Sequence, residues 1–337
     1  MPEITDIPPA NLWGSVKQFF QRGGFVNGLN PTVVGRIWYV NGEQNTANLG
    51  NSGNPSIVIR GSDSNTGRSP SSPFATIGRA LQLIDQYDII VLSGVFREQV
   101  VAPIGVYDVT IIGSGNDPRQ ATNGGVATGG GSSWLAPASP VATTPLIRVI
   151  CQGWRFRNLQ MAPVAGAACI TFDRRETTAI PDSSHGSVEG CYFTTGGAAG
   201  FGIEGIEVKR LRIEDCIFEA LTGATGAGIK TTAGLGIAAP SHWRVRRNKF
   251  VQGVVDMNCL SLNFSDIQHN IFYSTNPIEA GTRMVLNGST GRNRVLLNQF
   301  SDVAADVTIA KGYTPATSDV WNNYVAGTAA LIVTVPT

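Results

Sequence analysis

From residue 153 onward the apolar and polar positions follow one recurring six-residue figure. An apolar residue is followed by two variable positions, a special residue, one variable position and a large apolar residue. It reads FRNLQM (156–161), VEGCYF (188–193), IEDCIF (213–218), VRRNKF (245–250), IQHNIF (267–272), VLLNQF (295–300) and VWNNYV (320–325), closing every 22 to 32 residues. A fixed motif with an elastic spacer predicts a solenoid with loops of variable length. A second short apolar run follows each figure: CITF near Ile170, GIEV near Ile206, GIKT near Ile229, CLSLNF near Leu260, RMVL near Val285, VTIA near Ile309 and LIVTV near Ile332. Short β-branched runs bounded by Gly, Asn, Ser and Thr are strand chemistry. Two or three strands per turn predict a coil of parallel strands, with coils stacked ~4.8 Å apart.

The special position is Asn248, Asn270, Asn298 and Asn323 in the last four units, and Cys191 and Cys216 in two earlier ones. Stacked coils superpose equal positions, which predicts an internal asparagine ladder at a bend. Each Asn would take the left-handed conformation and bond the amide of its neighbour. Two residues on, Phe193, Phe218, Phe250, Phe272 and Phe300 share one side by the strand period of two and predict an aromatic stack in the core. The competing arrangement, an all-β sandwich, would have to produce seven matched units by chance.

On these units the chain resembles the right-handed parallel β-helix proteins of the pectate-lyase-like superfamily. A second similarity lies in IRGSDSNTGRSPSSPFATIGRAL (59–81) followed by DIIVLSGVFREQV (88–100), which resembles the segment leading into many such β-helices. There Ser72 is expected to cap a helix beginning at Pro73, with Phe74, Ile77, Leu81 and Ile84 as its apolar stripe. That helix would cover the open end of the stack. The expected organisation is an N-terminal anchoring arm (1–36), leading strands and capping helix (37–84) and the β-helix (85–337). In the arm, Trp13, Val16, Phe19 and Phe20 would line one face of a helix too short to stand alone. It would dock on the β-helix or on a larger assembly. Residues 113–140 are Gly-rich but lack the Lys-Ser/Thr of a phosphate loop, and read as an excursion between coils.

Composition narrows the function. The 337 residues carry 25 basic and 24 acidic side chains, a formal charge of +1, and charged residues are only 15%. That balance argues against nucleic acid or an anionic membrane as partner. No run of eighteen apolar residues predicts a membrane span, and the first residues lack the pattern of a secretory signal. Five cysteines without CxxC spacing read as buried thiols, and no metal or cofactor is expected.

A lyase on such a fold would need clustered carboxylates for calcium and a base, and a hydrolase a carboxylate pair. The outward columns alternate in sign instead. One reads Arg155, Ser187, Arg212, Arg244, Asp266, Arg294, Asp319 and the other Arg157, Glu189, Glu214, Arg246, Gln268, Leu296, Trp321. They look like an ion-pair ladder, with Glu214 beside Asp215 or Asp256 the least poor candidate pair, and no catalytic residue is assigned. Leu296, Leu297 and Trp321 make the outward face apolar near the C-terminus, the mark of a covered surface. β-Helix proteins of tailed phages are similar in joining an anchoring segment, a capping helix and three chains side by side. The resemblance implies a non-enzymatic homotrimeric virion protein, assembled in the host cytoplasm. Its partners would be its own copies, major capsid or tail proteins, and a surface glycan. The alternatives are a polysaccharide depolymerase of tailspike type and a non-viral carbohydrate-binding β-helix.

Overall fold

The computed structural model describes residues 35–42, 61–114, 132–174, 184–194, 200–219, 226–232, 239–251, 255–273, 284–287, 292–301, 318–321, 323–325 and 331–332. Trp13, Val16, Phe19 and Phe20 lie outside the described residues, as do residues 56–60, 115–131 and 309.

The chain visits three sheets in turn and then repeats the circuit. Sheet A holds Ile37–Asn41, Ile89–Phe96, Thr110–Gly113, Arg155–Arg157, Ser187–Glu189, Arg212–Glu214, Arg244–Arg246, Asp266–Gln268, Asn293–Leu296 and Ser318–Trp321, each parallel to the last. Sheet B starts in the second half of Ile89–Phe96 and continues through Ser132–Trp134, Gln160–Met161, Tyr192–Thr194, Ile217–Glu219, Lys249–Val251, Ile271–Tyr273, Gln299–Ser301 and Asn323–Val325. Sheet C holds Val100–Val101, Ile147–Val149, Ala168–Asp173, Phe201–Ile206, Ala227–Thr232, Val255–Leu260 and Met284–Asn287. This is a right-handed parallel β-helix with three strands per coil, in the hand that nearly all parallel crossovers take.

Strands of sheets A and B are mostly three residues long with only the middle one inward. Phe156, Val188, Ile213, Val245, Ile267 and Val295 are those inward residues in sheet A. In sheet B the inward Phe193, Phe218, Phe250, Phe272 and Phe300 form a continuous stack. Neighbouring ring centroids lie 4.9, 4.8, 4.8 and 4.7 Å apart and the planes differ by at most 8°. Sheet C makes room for them. A Cβ on Gly202 would meet the Phe218 ring at 2.8 Å, and one on Gly228 the Phe250 ring at 2.9 Å.

The turn from sheet A to sheet B takes two residues. Asn158, Gly190, Asp215, Arg247, His269 and Leu297 carry φ between 53° and 61°. The expectation that the ladder asparagine itself adopts the left-handed conformation is therefore corrected by one position. The residue before it turns the chain, and Asn248, Asn270 and Asn298 follow with their side chains inside. A polar side chain at the turning residue would point to water. One position later it can reach the next coil.

The helix also differs from its expected extent. It spans Ile77–Leu81 and is capped by Thr76, whose Oγ1 accepts from Arg79 N at 3.1 Å. Residues 73–75 stay extended because Phe74 N donates to Tyr39 O at 2.9 Å. Asp63 Oδ1 takes the amides of Ala75 and Thr76, each at 3.0 Å. Glu98 then accepts Ile77 N at 2.8 Å and Gly78 N at 3.0 Å, supplying the helix start with acceptors from the first coil. Burial pushes the Glu98 carboxyl above its usual range, against the opposing pull of those two amides.

Two apolar runs fold differently from their reading. The strand near Leu260 is Val255–Leu260, so CLSLNF mostly belongs to the following bend, where Leu262 is buried. Leu331–Ile332 pairs antiparallel with Asn323–Val325 and lies in sheet B. All five cysteines are buried and unbridged. Burial raises the thiols of Cys169 and Cys216 well above their usual value and that of Cys259 to about 12.

Candidate functional site

The ladder column joins the asparagine side chains to main-chain amides and carbonyls. Asn248 N and Nδ2 both donate to Asn270 Oδ1 at 3.0 Å. Asn270 N and Nδ2 donate to Asn298 Oδ1 at 2.9 Å, and Asn298 N and Nδ2 to Asn323 Oδ1 at 2.9 and 3.0 Å. The second Nδ2 hydrogen of Asn248, Asn270, Asn298 and Asn323 goes to the carbonyls of Ile213, Val245, Ile267 and Val295. Asn248 Oδ1 accepts Cys216 N at 2.9 Å, where the column passes to thiols. These residues are sealed from solvent and hold the rod together.

The outward columns of sheet A form pairs instead of a reactive cluster. Arg157 meets Glu189 at 2.8 Å, Arg212 meets Glu214 at 3.0 Å, and Arg246 meets Asp266. Arg247 spans Asp215 at 2.8 Å and Glu214 at 3.4 Å, and the Asp215 carboxylate raises that guanidinium above its usual range. Glu214 and Asp215 are thus both held by arginines, while Asp256 lies in sheet C, so the sheets separate it from them. Leu297 is exposed at its bend and Leu296 half-buried. Trp321 ends a strand opposite Leu296, and its side chain lies outside the described residues.

The chemistry that the spacing did not reveal lies on the outer face of sheet C. Here the strands reach six residues, and the links into them from sheet B vary from three to twelve residues. Loops of variable length on a rigid frame are where a scaffold carries function. Arg148, Thr171, Glu204, Lys230 and Asn258 stand in one column, one per coil. Glu204 is its centre. Oε1 accepts Thr232 Oγ1 at 2.9 Å and lies 3.3 Å from Lys230 Nζ, and Oε2 accepts Thr171 Oγ1 at 3.4 Å. Its side chain is 17% exposed and that of Lys230 28%. The Lys230 ammonium lies 4.2 Å from the Phe201 ring centroid, a cation–π contact that pins it against the sheet. Beside this, Arg148 grips one oxygen of the buried Asp173 through Nε at 3.1 Å and Nη2 at 2.8 Å. A carboxylate fixed by two hydroxyls and an ammonium, and still reachable from outside, is equipped to move a proton.

A second surface follows where sheet C turns into sheet A. His185, Arg210, His242 and Phe264 occupy one column there, with φ between 49° and 62°, and all four are exposed. Inside them Lys209, Ser241 and Asn263 are linked by parallel bridges. The two columns line a groove of about 530 Å³. Trp154 and Trp243 fill the core beneath this bend, their Nε1 donating to Val106 O at 3.0 Å and Val208 O at 2.9 Å.

No family model and no curated protein matches the sequence. Solved structures do resemble the fold. Pectate lyase Pel9A aligns over 90% of this chain and 83% of its own at 13% identity, with a TM-score of 0.44. The fold is a parallel β-helix, as the chain's own strand pairings show. A GH136 lacto-N-biosidase from Eubacterium ramulus covers 86% of this chain and 67% of its own, at 12% identity and a TM-score of 0.41. A pectin methylesterase bound to a hexasaccharide covers 77% and 87%, at 10% identity and 0.42. At such identities the likeness concerns the winding of the backbone and none of the side chains above.

Proposed function

We propose that this chain processes a polysaccharide laid across the outer face of sheet C, with Glu204 as the proton-transferring carboxylate. The observation that carries the reading is the Thr171–Glu204–Lys230 column on the loop-flanked sheet. Lys230 neutralises charge developing beside Glu204, Thr171 and Thr232 hold the carboxylate in place, and the Arg148–Asp173 pair stiffens the neighbouring coil. Among the described residues of sheet A, Glu189, Glu214 and Asp266 each pair with an arginine, a cation that keeps its proton, whereas the partner of Glu204 is a lysine.

The test is depolymerisation of a panel of bacterial capsular polysaccharides, followed by viscosity and by new reducing ends. Glu204→Gln is expected to lower turnover by about 10²–10⁴-fold with an unchanged unfolding midpoint. Full turnover in the Glu204→Gln variant would overturn the assignment.

A second reading, a non-enzymatic homotrimeric virion component, is favoured by a different observation. Ile271, Tyr273 and Leu297 expose large apolar side chains on adjacent parts of the last coils. Packing of three copies through this face would cover them. Light scattering decides it. This reading expects three times the chain mass, with trimers lost in Tyr273→Lys. A monomer at micromolar concentration removes it.

A further inference from the structure

The groove between sheets C and A has features that folding does not require. Phe264 sits at φ 49° with 59% of its surface exposed. A bulky aromatic side chain in the left-handed region is strained, and here it covers no core. Its ring stacks on His242, with centroids 5.5 Å apart and planes 27° apart, so the two form one exposed platform. One coil from His242, Arg210 Nη1 donates to His185 Nε2 at 2.9 Å. Because arginine only donates, that contact leaves the His185 Nδ1 hydrogen for a further partner. Lys209 stands beside Arg210 and makes no ion pair among the described residues.

Among the described residues no carboxylate lines the groove. Glu207, the acid nearest to Lys209 along the chain, is 1% exposed. Two fixed positive charges without a counter-ion among the described residues therefore share a concave surface on a molecule of formal charge only +1. The hydroxyl of Ser241 and the amide of Asn263 add neutral hydrogen-bonding groups. Cations and platform lie on successive coils, spaced along the rod axis by the coil step of ~4.8 Å. A ligand that uses them together must be extended, with a flat face and acidic groups.

The geometry points to a binding site for an anionic carbohydrate chain lying lengthwise in this groove. Arg210 and Lys209 take its acidic groups, and Phe264 with His242 takes a ring face. This inference deepens the polysaccharide reading and rests on it for the nature of the ligand, but the groove is separate from Glu204. It assigns the substrate class as acidic.

The experiment is calorimetric titration of the full chain with dextran sulfate oligomers, hyaluronan oligomers and uncharged dextran oligomers of matched length. Inorganic sulfate serves as the bare anion. The proteins are wild type, Lys209→Gln with Arg210→Asn, Phe264→Asn and Lys249→Gln. Asparagine is chosen at 210 and 264 because it tolerates the left-handed region. Wild type is expected to bind a sulfated or carboxylated oligomer at least tenfold more tightly than dextran, and the tighter of the two identifies the acidic group. The double variant loses that tenfold preference. Phe264→Asn weakens the oligomer but leaves inorganic sulfate unchanged. Lys249→Gln, which removes an exposed cation from sheet B, binds as wild type. The groove is read by binding and Glu204 by turnover, so failure of the catalytic assignment and failure of the groove assignment give different results. Equal affinity for charged and uncharged oligomers in wild type, or undiminished preference in the double variant, overturns the proposal.

Discussion

Asn270→Leu is expected to lower the free energy of unfolding by on the order of 4 kcal/mol, one of the largest losses a single substitution gives in a rod of this kind. The shape is nearly kept, but four hydrogen bonds go. Asn270 Oδ1 no longer receives the Asn248 amide and Nδ2, and Asn270 Nδ2 no longer reaches Val245 O and Asn298 Oδ1. The site is 0% exposed, so water cannot replace them. Each buried group left without a partner costs about 1–3 kcal/mol. Urea unfolding followed by far-ultraviolet circular dichroism measures the change. A loss below about 1 kcal/mol would mean that the column aligns the coils without holding them.

Phe250→Ala is expected to cost about 3–5 kcal/mol. Its ring lies 4.8 Å from both Phe218 and Phe272, so the truncation removes two stacking contacts of about 0.5–1.5 kcal/mol each. The void cannot be filled from across the core, because the facing position is Gly228. Phe300→Ala offers a comparison from further along the same stack, where the described residues give the ring one stacking neighbour, Phe272. The expected order, with Phe250→Ala the more damaging, is read from the same urea curves. Equal losses would assign the energy to burial alone and none to the second ring contact.

The two substitutions lie in the part of the molecule that the bare sequence displays most clearly. From Phe156 to Val325 the turn between sheets A and B keeps a constant length, so inward residue, ladder residue and aromatic residue recur at fixed offsets. Sheet C lacks that regularity. Thr171, Glu204, Lys230 and Asn258 form one column, but links of unequal length separate each from its six-residue figure, and no fixed offset connects them. The pairing of Glu204 with Lys230 is a product of coil register. The left-handed residues were also hidden, because Arg247, His269 and Leu297 have nothing in their chemistry that announces a positive φ. The helix start moved from Pro73 to Ile77 for a similar reason. Its competitors, Tyr39 O, Asp63 and Glu98, are distant in sequence.

The amide column is polar in the sense that an arrow is. Asn248, Asn270 and Asn298 each pass their main-chain hydrogen and one side-chain hydrogen toward higher residue numbers. The other side-chain hydrogen returns to a lower-numbered carbonyl, and the Oδ1 of Asn270, Asn298 and Asn323 each serves two donors from the storey before. Damage to one storey therefore spreads asymmetrically: losing an oxygen strands two donors on the lower-numbered side, whereas the higher-numbered neighbour keeps one incoming hydrogen from the main chain. A winding tube with such a directed seam can be lengthened by inserting whole turns in one sense only, which makes the unit of change in this architecture the complete turn.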